Sequence, residues 1–120
     1  MKITDSHLRC AFEAARSKNA LDLIVLDLRN LAQFTDFFIL CSGTSTPQIQ
    51  AISNEIEGRL KKNGRSPDHI EGYQRAQWVL MDYGDFIVHI FLEKVRSFYN
   101  VERIWREALT INGSDMTDSS

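Results

Sequence analysis

Trp78-Val-Leu-Met-Asp-Tyr-Gly-Asp-Phe-Ile-Val-His-Ile-Phe91 is the stretch that decides the fold. Two apolar runs flank Asp82-Tyr83-Gly84-Asp85. Each run is rich in β-branched and aromatic residues and too short for an ordinary helix, so the pair predicts two strands joined by a tight turn. Gly84 supplies the positive φ that such a turn needs, and aspartates suit its flanks. Both runs are apolar at nearly every position, which predicts cover on both faces and a place at the centre of a sheet.

The remaining segments supply the cover. Asp5 to Asn19 predicts a helix, capped by Asp5 or Ser6, with Leu8, Ala11, Phe12 and Ala15 on one face. Ala20 to Leu28 and Thr35 to Ser42 follow as strands, and the short Arg29–Gln33 link makes them antiparallel neighbours. Gly43-Thr44-Ser45-Thr46-Pro47 then starts a second helix, with Thr46 expected as N-cap and Pro47 as the first helical residue. Ile49, Ile52, Ile56 and Leu60 recur on one face of it, Lys61-Lys62 complement its dipole and Gly64 stops it. Asp68 to Glu71 predicts a short edge strand. Glu93 to Tyr99 predicts a short helix, and Asn100 caps another running to about Leu109. One domain spans residues 1–110; residues 111–120, small and polar, are expected to be a disordered tail. The fold class is α/β: a mixed sheet with flanking helices.

The 120 residues, 43% hydrophobic and 25% charged, suit one soluble domain. A net charge of −2 argues against a basic nucleic-acid platform, though not against a small basic patch, and no direct DNA binding is expected. No run is apolar for long enough to span a membrane, and neither a signal nor a transit pattern opens the chain, so a cytoplasmic location without membrane attachment is expected. Cys10 and Cys41 read as reduced, buried thiols; with no nearby His pair they do not form a zinc site.

Three places could carry chemistry. Cys41-Ser42-Gly43-Thr44-Ser45 between a strand and a helix resembles an anion site, but it has neither the spacing nor the Lys of a P-loop, and a well-capped turn explains it as well. A Gly-Ser turn here also suggests nucleotidyltransferases, which need paired carboxylates on a following strand to hold magnesium. A helix follows instead, and Asp82 and Asp85 flank a turn, so neither a metal site nor a cofactor is expected. His89, between Val88 and Ile90, reads as a structural histidine; a catalytic one would need a partner such as Ser42 or Cys41 close by. Trp78, Tyr83, Phe98, Tyr99 and Trp105 are large aromatics in the C-terminal half. Large aromatics of this kind mostly fill cores, but aromatics beside charge are also what protein interfaces favour, and Trp78, Asp82, Tyr83, Asp85 and Tyr99 form the expected partner-binding set. An acidic rim suits a basic partner.

Several motifs occur together and in order: Thr35-Asp36-Phe37-Phe38, Cys41 to Ser45, Glu71-Gly72, Trp78 to Asp85, Val88-His89-Ile90-Phe91 and Phe98 to Trp105. In these the chain resembles the ribosomal silencing factor, or Iojap-like, family from about Asp5 to Glu107. The resemblance implies a nucleotidyltransferase-like α/β fold without the catalytic site. It implies a non-enzymatic factor that binds the large ribosomal subunit through large-subunit ribosomal protein fourteen. It also implies a block of subunit joining, repression of translation when nutrients are scarce, and a possible homodimer. The alternative class is a nucleotide-binding enzyme of the nucleotidyltransferase type; missing paired carboxylates favour the binding module.

Overall fold

The computed structural model describes residues 5–31, 33–99 and 109–111; for 97–99 and 109–111 only the backbone is considered. The elements, in chain order, are α1 (Ser6–Ser17), β1 (Leu21–Asp27), β2 (Phe37–Gly43), α2 (Thr46–Lys62), β3 (His69–Glu71), β4 (Trp78–Asp82), β5 (Phe86–Leu92), α3 (Glu93–Tyr99) and β6 (Leu109–Ile111). They build one six-stranded sheet in the order β3-β4-β5-β2-β1-β6.

The expected hairpin is present, with Val79 opposite Ile90 and Leu80 opposite His89. Gly84 has φ +87°, and its N–H donates to Asp82 Oδ1 at 2.8 Å. A Cβ at Gly84 would meet nothing closer than 3.5 Å, so a substitution there is penalised by the backbone conformation rather than by a collision. Gly84→Val should therefore cost about 1–3 kcal/mol, and Gly84→Asn, which tolerates positive φ, clearly less. Equal melting temperatures for the wild type and both variants would show that the turn does not depend on this conformation.

β1 and β2 pair antiparallel, as their short link requires. β2 and β5 pair in parallel, Leu40 opposite His89, because α2 and the β3–β4 excursion lie between them in the chain. The mixed sheet follows from that single crossover. β2 is buried at every position and β5 at all but its last.

α1 and α2 cover one face. Leu8, Ala11, Phe12 and Ala15 from α1 and Ile49, Ile52, Ile56 and Leu60 from α2 meet Val25, Ile39, Val79, Met81, Val88 and Ile90. The opposite face carries a smaller cluster of Leu26, Leu28, Phe38, Leu40, Ile87 and Phe91, with Val95 of α3 packed on it. β4 belongs partly to this thinner side. Its burial alternates, with Val79 and Met81 buried and Trp78, Leu80 and Asp82 at least partly open. The expectation that both hairpin strands are covered on both faces thus holds for β5 and fails for β4, which has only the short β3 beyond it.

Other expectations shift locally. Ser45, not Thr46, caps α2 by accepting from the Gln48 N–H at 3.2 Å. Asp5 caps α1. Leu109 to Ile111 pairs with β1 as an edge strand that the periodicity did not predict, so the expected helix cannot extend through Leu109. Ile111 of β6 pairs with Val25, so the tail expected from 111 starts one residue too early. Residues 112–120, the rest of that helix and Trp105 lie outside the described residues, as does the Phe98 side chain.

Candidate functional site

The five residues expected to meet a partner do not share one face. Trp78 opens β4 on the thinner side and is 38% exposed. Asp82 closes the same strand four residues on, about 13 Å away, beside the 83–85 turn. Its carboxylate holds the Gly84 N–H and lies 3.8 Å from His69 Nδ1.

Tyr83 corrects the expectation, being only 1% exposed. Its ring stacks on Phe86 at 5.0 Å within the α1–α2 core, and the Arg65 guanidinium lies 5.9 Å from the ring centroid. Burial pushes its phenol above the ordinary range. Tyr83 is thus a core residue rather than a surface aromatic, because the turn directs it to the helical side. Asp85 accepts from Arg65 Nη2 at 2.7 Å, and the same nitrogen donates to the Tyr83 carbonyl. Arg65 therefore pins the turn. Tyr99 ends α3, and its side chain lies outside the described residues.

The structure joins Trp78 to a residue on the neighbouring strand. The Trp78 Nε1–H donates to His89 Nδ1 at 3.1 Å. His89 is 6% exposed, edge-on to Phe38 at 4.5 Å and stacked with Phe91 at 6.1 Å, and Phe91 in turn lies 4.9 Å from the indole. Desolvation alone lowers the His89 pKa to about 4. The imidazole is therefore neutral at pH 7, and since Nδ1 accepts, Nε2 carries the proton. That Nε2–H is buried and has no hydrogen-bond partner among the described residues. A buried unpaired donor costs about 1–3 kcal/mol. The sequence reading identified His89 as structural but missed its partner, which only the diagonal register between β4 and β5 reveals.

An aromatic row continues from this pair. Phe34, 59% exposed, lies 6.1 Å from Phe38, which abuts His89. On the other flank of Trp78, Gly72, Arg75, Gln77 and Val95 line a shallow recess.

The remaining candidate chemistry is engaged internally. At the strand-to-helix turn, Gln48 Oε1 accepts from the Thr44 N–H at 2.8 Å, and its Nε2 donates to the carbonyls of Lys18 and Asn19. Two of the N–H groups that would receive an anion, those of Thr44 and Gln48, are therefore held by the protein's own side chains. Ser42 accepts from Arg96 Nη1 at 3.0 Å, and the same nitrogen donates to the Asp22 carbonyl at 2.9 Å, tying α3 to β1 and β2. Sequence gave no sign of this tie. Burial pushes the Cys41 thiol up to about 12, so it is inert; Cys10 is half-buried and also unbridged. Among the described residues, no group of three or more His, Cys, Asp or Glu side chains gathers around a point. No helix among them is long and apolar enough to cross a membrane.

This arrangement has known relatives. Residues 2–120 match the family described as "Ribosomal silencing factor during starvation". The chain is 40% identical to the ribosomal silencing factor RsfS of Bacillus subtilis, over 86% of its own length and 87% of that protein's. It is 36% identical to the chloroplastic protein Iojap of Zea mays, over 82% of this chain and 43% of the longer plant protein. It is 30% identical to a Mus musculus protein named for mitochondrial assembly of the ribosomal large subunit, over 75% of this chain and 41% of that one. A crystal structure of a Chromobacterium violaceum protein superposes with a TM-score of 0.82 at 33% identity, covering 88% of this chain and 87% of that one. The family match over residues 2–120, with agreement in sequence over 86% of the chain and in backbone over 88%, makes this chain a member of the ribosomal silencing factor family.

Proposed function

We propose that the protein silences ribosomes by binding the large subunit, through large-subunit ribosomal protein fourteen, and excluding the small subunit sterically when nutrients are scarce. Family membership supports the ribosomal role. The observation that carries the location is Trp78, a large aromatic left partly open on the thinly covered face. Tryptophans in such positions dominate binding energies at interfaces. Asp82, Asp85 and Tyr99 belong to the proposed surface, with the acids steering a basic partner; Tyr83 supports it from within the core. The factor works by occupancy rather than turnover. Asp82 and Asp85, the carboxylates that flank the turn, bond the Gly84 N–H and Arg65. A cytoplasmic location and a homodimer in the free state belong to the same reading.

Co-sedimentation with isolated large subunits, with and without small subunits, tests this. Trp78→Ala should weaken large-subunit binding by about 2 kcal/mol, roughly thirtyfold, measured at a temperature where the variant, which also loses its contacts with His89 and Phe91, remains folded. Lys62→Ala, on the exposed end of α2, should bind as the wild type does. Wild-type affinity in a folded Trp78→Ala protein would place the interface elsewhere. Saturable binding of a magnesium nucleotide, followed by turnover, would favour the enzyme class instead.

A further inference from the structure

The geometry points to His89 as a positioning residue of this surface: its neutral imidazole holds the Trp78 indole in the orientation that meets the partner. The inference rests on the proposed role of Trp78. An exposed tryptophan at the start of a strand can turn about two side-chain bonds, and fixing it beforehand lowers the entropy lost on binding. Here the ring is held at two points. Its N–H is bonded to His89 Nδ1 at 3.1 Å, and its flank lies 4.9 Å from the Phe91 centroid. Phe38 and Phe91 fix the imidazole in turn.

The unpaired side of His89 argues in the same direction. An aliphatic residue would suit the middle of β5 better than a ring whose Nε2–H is buried without a partner among the described residues. The polar ring is explained by its other nitrogen, which accepts the indole proton. A catalytic explanation lacks support: Ser42 is bonded to Arg96, and desolvation is the sole cause of the His89 shift, with no carboxylate contributing.

Three variants and one spectroscopic measurement test the assignment. His89→Leu, close in volume and without an acceptor, should weaken binding to isolated large subunits about fivefold at pH 7.5, with melting temperature held or raised. His89→Asn places an oxygen where Nδ1 stood and should remain within about twofold of the wild type. In a Trp78→Phe background, which lacks the indole N–H, His89→Leu should cause no further loss. By NMR, the Trp78 indole proton should exchange slowly in the wild type and in His89→Asn, and fast in His89→Leu.

Wild-type binding by His89→Leu, while Trp78→Ala is impaired, overturns the positioning role and leaves the surface reading intact. If neither substitution weakens binding, the surface reading falls and this inference with it. An equal loss in the Trp78→Phe background shows that His89 acts by another route and overturns the proposal. Should His89→Leu fail to fold, a severe binding loss in His89→Asn, or fast indole exchange in the wild type, would overturn it as well.

Discussion

Gly72→Ala should lower the unfolding free energy by about 3 kcal/mol and weaken large-subunit binding with it. Gly72 follows β3 with φ +81°, a conformation that costs an L-residue roughly 1–2 kcal/mol. A Cβ there would also stand 2.2 Å from the Trp78 carbonyl oxygen and 3.3 Å from its carbon. Those are backbone atoms, so no side chain can swing aside; the chain or the start of β4 must move, at a further cost of about 1–3 kcal/mol. Gly64 provides the control. Its φ is +80°, and a Cβ there would meet nothing within 4 Å. The difference between Gly64→Ala and Gly72→Ala isolates the collision from the strain. Denaturant unfolding of the two variants measures it, and equal losses would show that Gly72 does not lie as close to the Trp78 backbone as the structure places it. Because the displaced atoms belong to Trp78, Gly72→Ala should also disturb the indole, whereas Gly64→Ala should leave binding unchanged.

How much of this was legible depends on how local the cause was. α2 could be read because Ile49, Ile52, Ile56 and Leu60 repeat at helical spacing and all four are buried. The hairpin could be read because Gly84 sits between two β-rich runs and takes positive φ. β6 could not be read: three residues, Leu109 to Ile111, show no period, and their strand exists only because β1 offers an edge. Tyr83 was misplaced for a related reason. An aromatic between two aspartates looks like surface until the turn fixes which face it joins, and Arg65, eighteen residues back in the chain, completes that turn. Trp78 itself was legible as a binding candidate by residue type. Its bond to His89 was not, since it needs the exact register that sets Leu80 opposite His89 and Trp78 on the diagonal. Arg96 is the extreme case, reaching back 54 residues to Ser42 and 74 to Asp22. Local chemistry placed most of the elements, and long-range pairing decided which side chains they bring together.

Acidification should destabilise the protein through His89 by about 3 kcal/mol between pH 6.5 and pH 4. The folded imidazole has its pKa lowered from 6.5 to about 4, because Phe38, Phe91 and Trp78 replace water around it. Within that window the unfolded chain binds the proton and the folded chain does not. Stability therefore falls as pH falls, by about 1.4 kcal/mol per pH unit at the steepest, and the loss levels off once the folded form is protonated too. Above pH 6.5 both states are neutral and the contribution is constant. The shifted carboxylate of Asp27 acts lower on the scale. Its pKa is lowered chiefly by the hydrogen bond from Arg29, so its stabilisation is lost as pH falls through that lowered value. Every other side chain is common to the wild type and a His89 variant, so the difference between the two proteins isolates His89. Denaturant midpoints from pH 7.5 to 4 should show a steeper decline for the wild type than for His89→Leu. Parallel curves would mean that the imidazole is hydrated or charged in the folded state. The same proton has a structural consequence. Neutral His89 receives the indole N–H on the Nδ1 lone pair, and protonation places a hydrogen on that atom. Indole release should therefore follow His89 titration in the folded state near pH 4, and slow exchange of the Trp78 indole proton should be lost with that midpoint. An indole that stays protected below pH 4 would break the connection between the charge on His89 and the hold on Trp78.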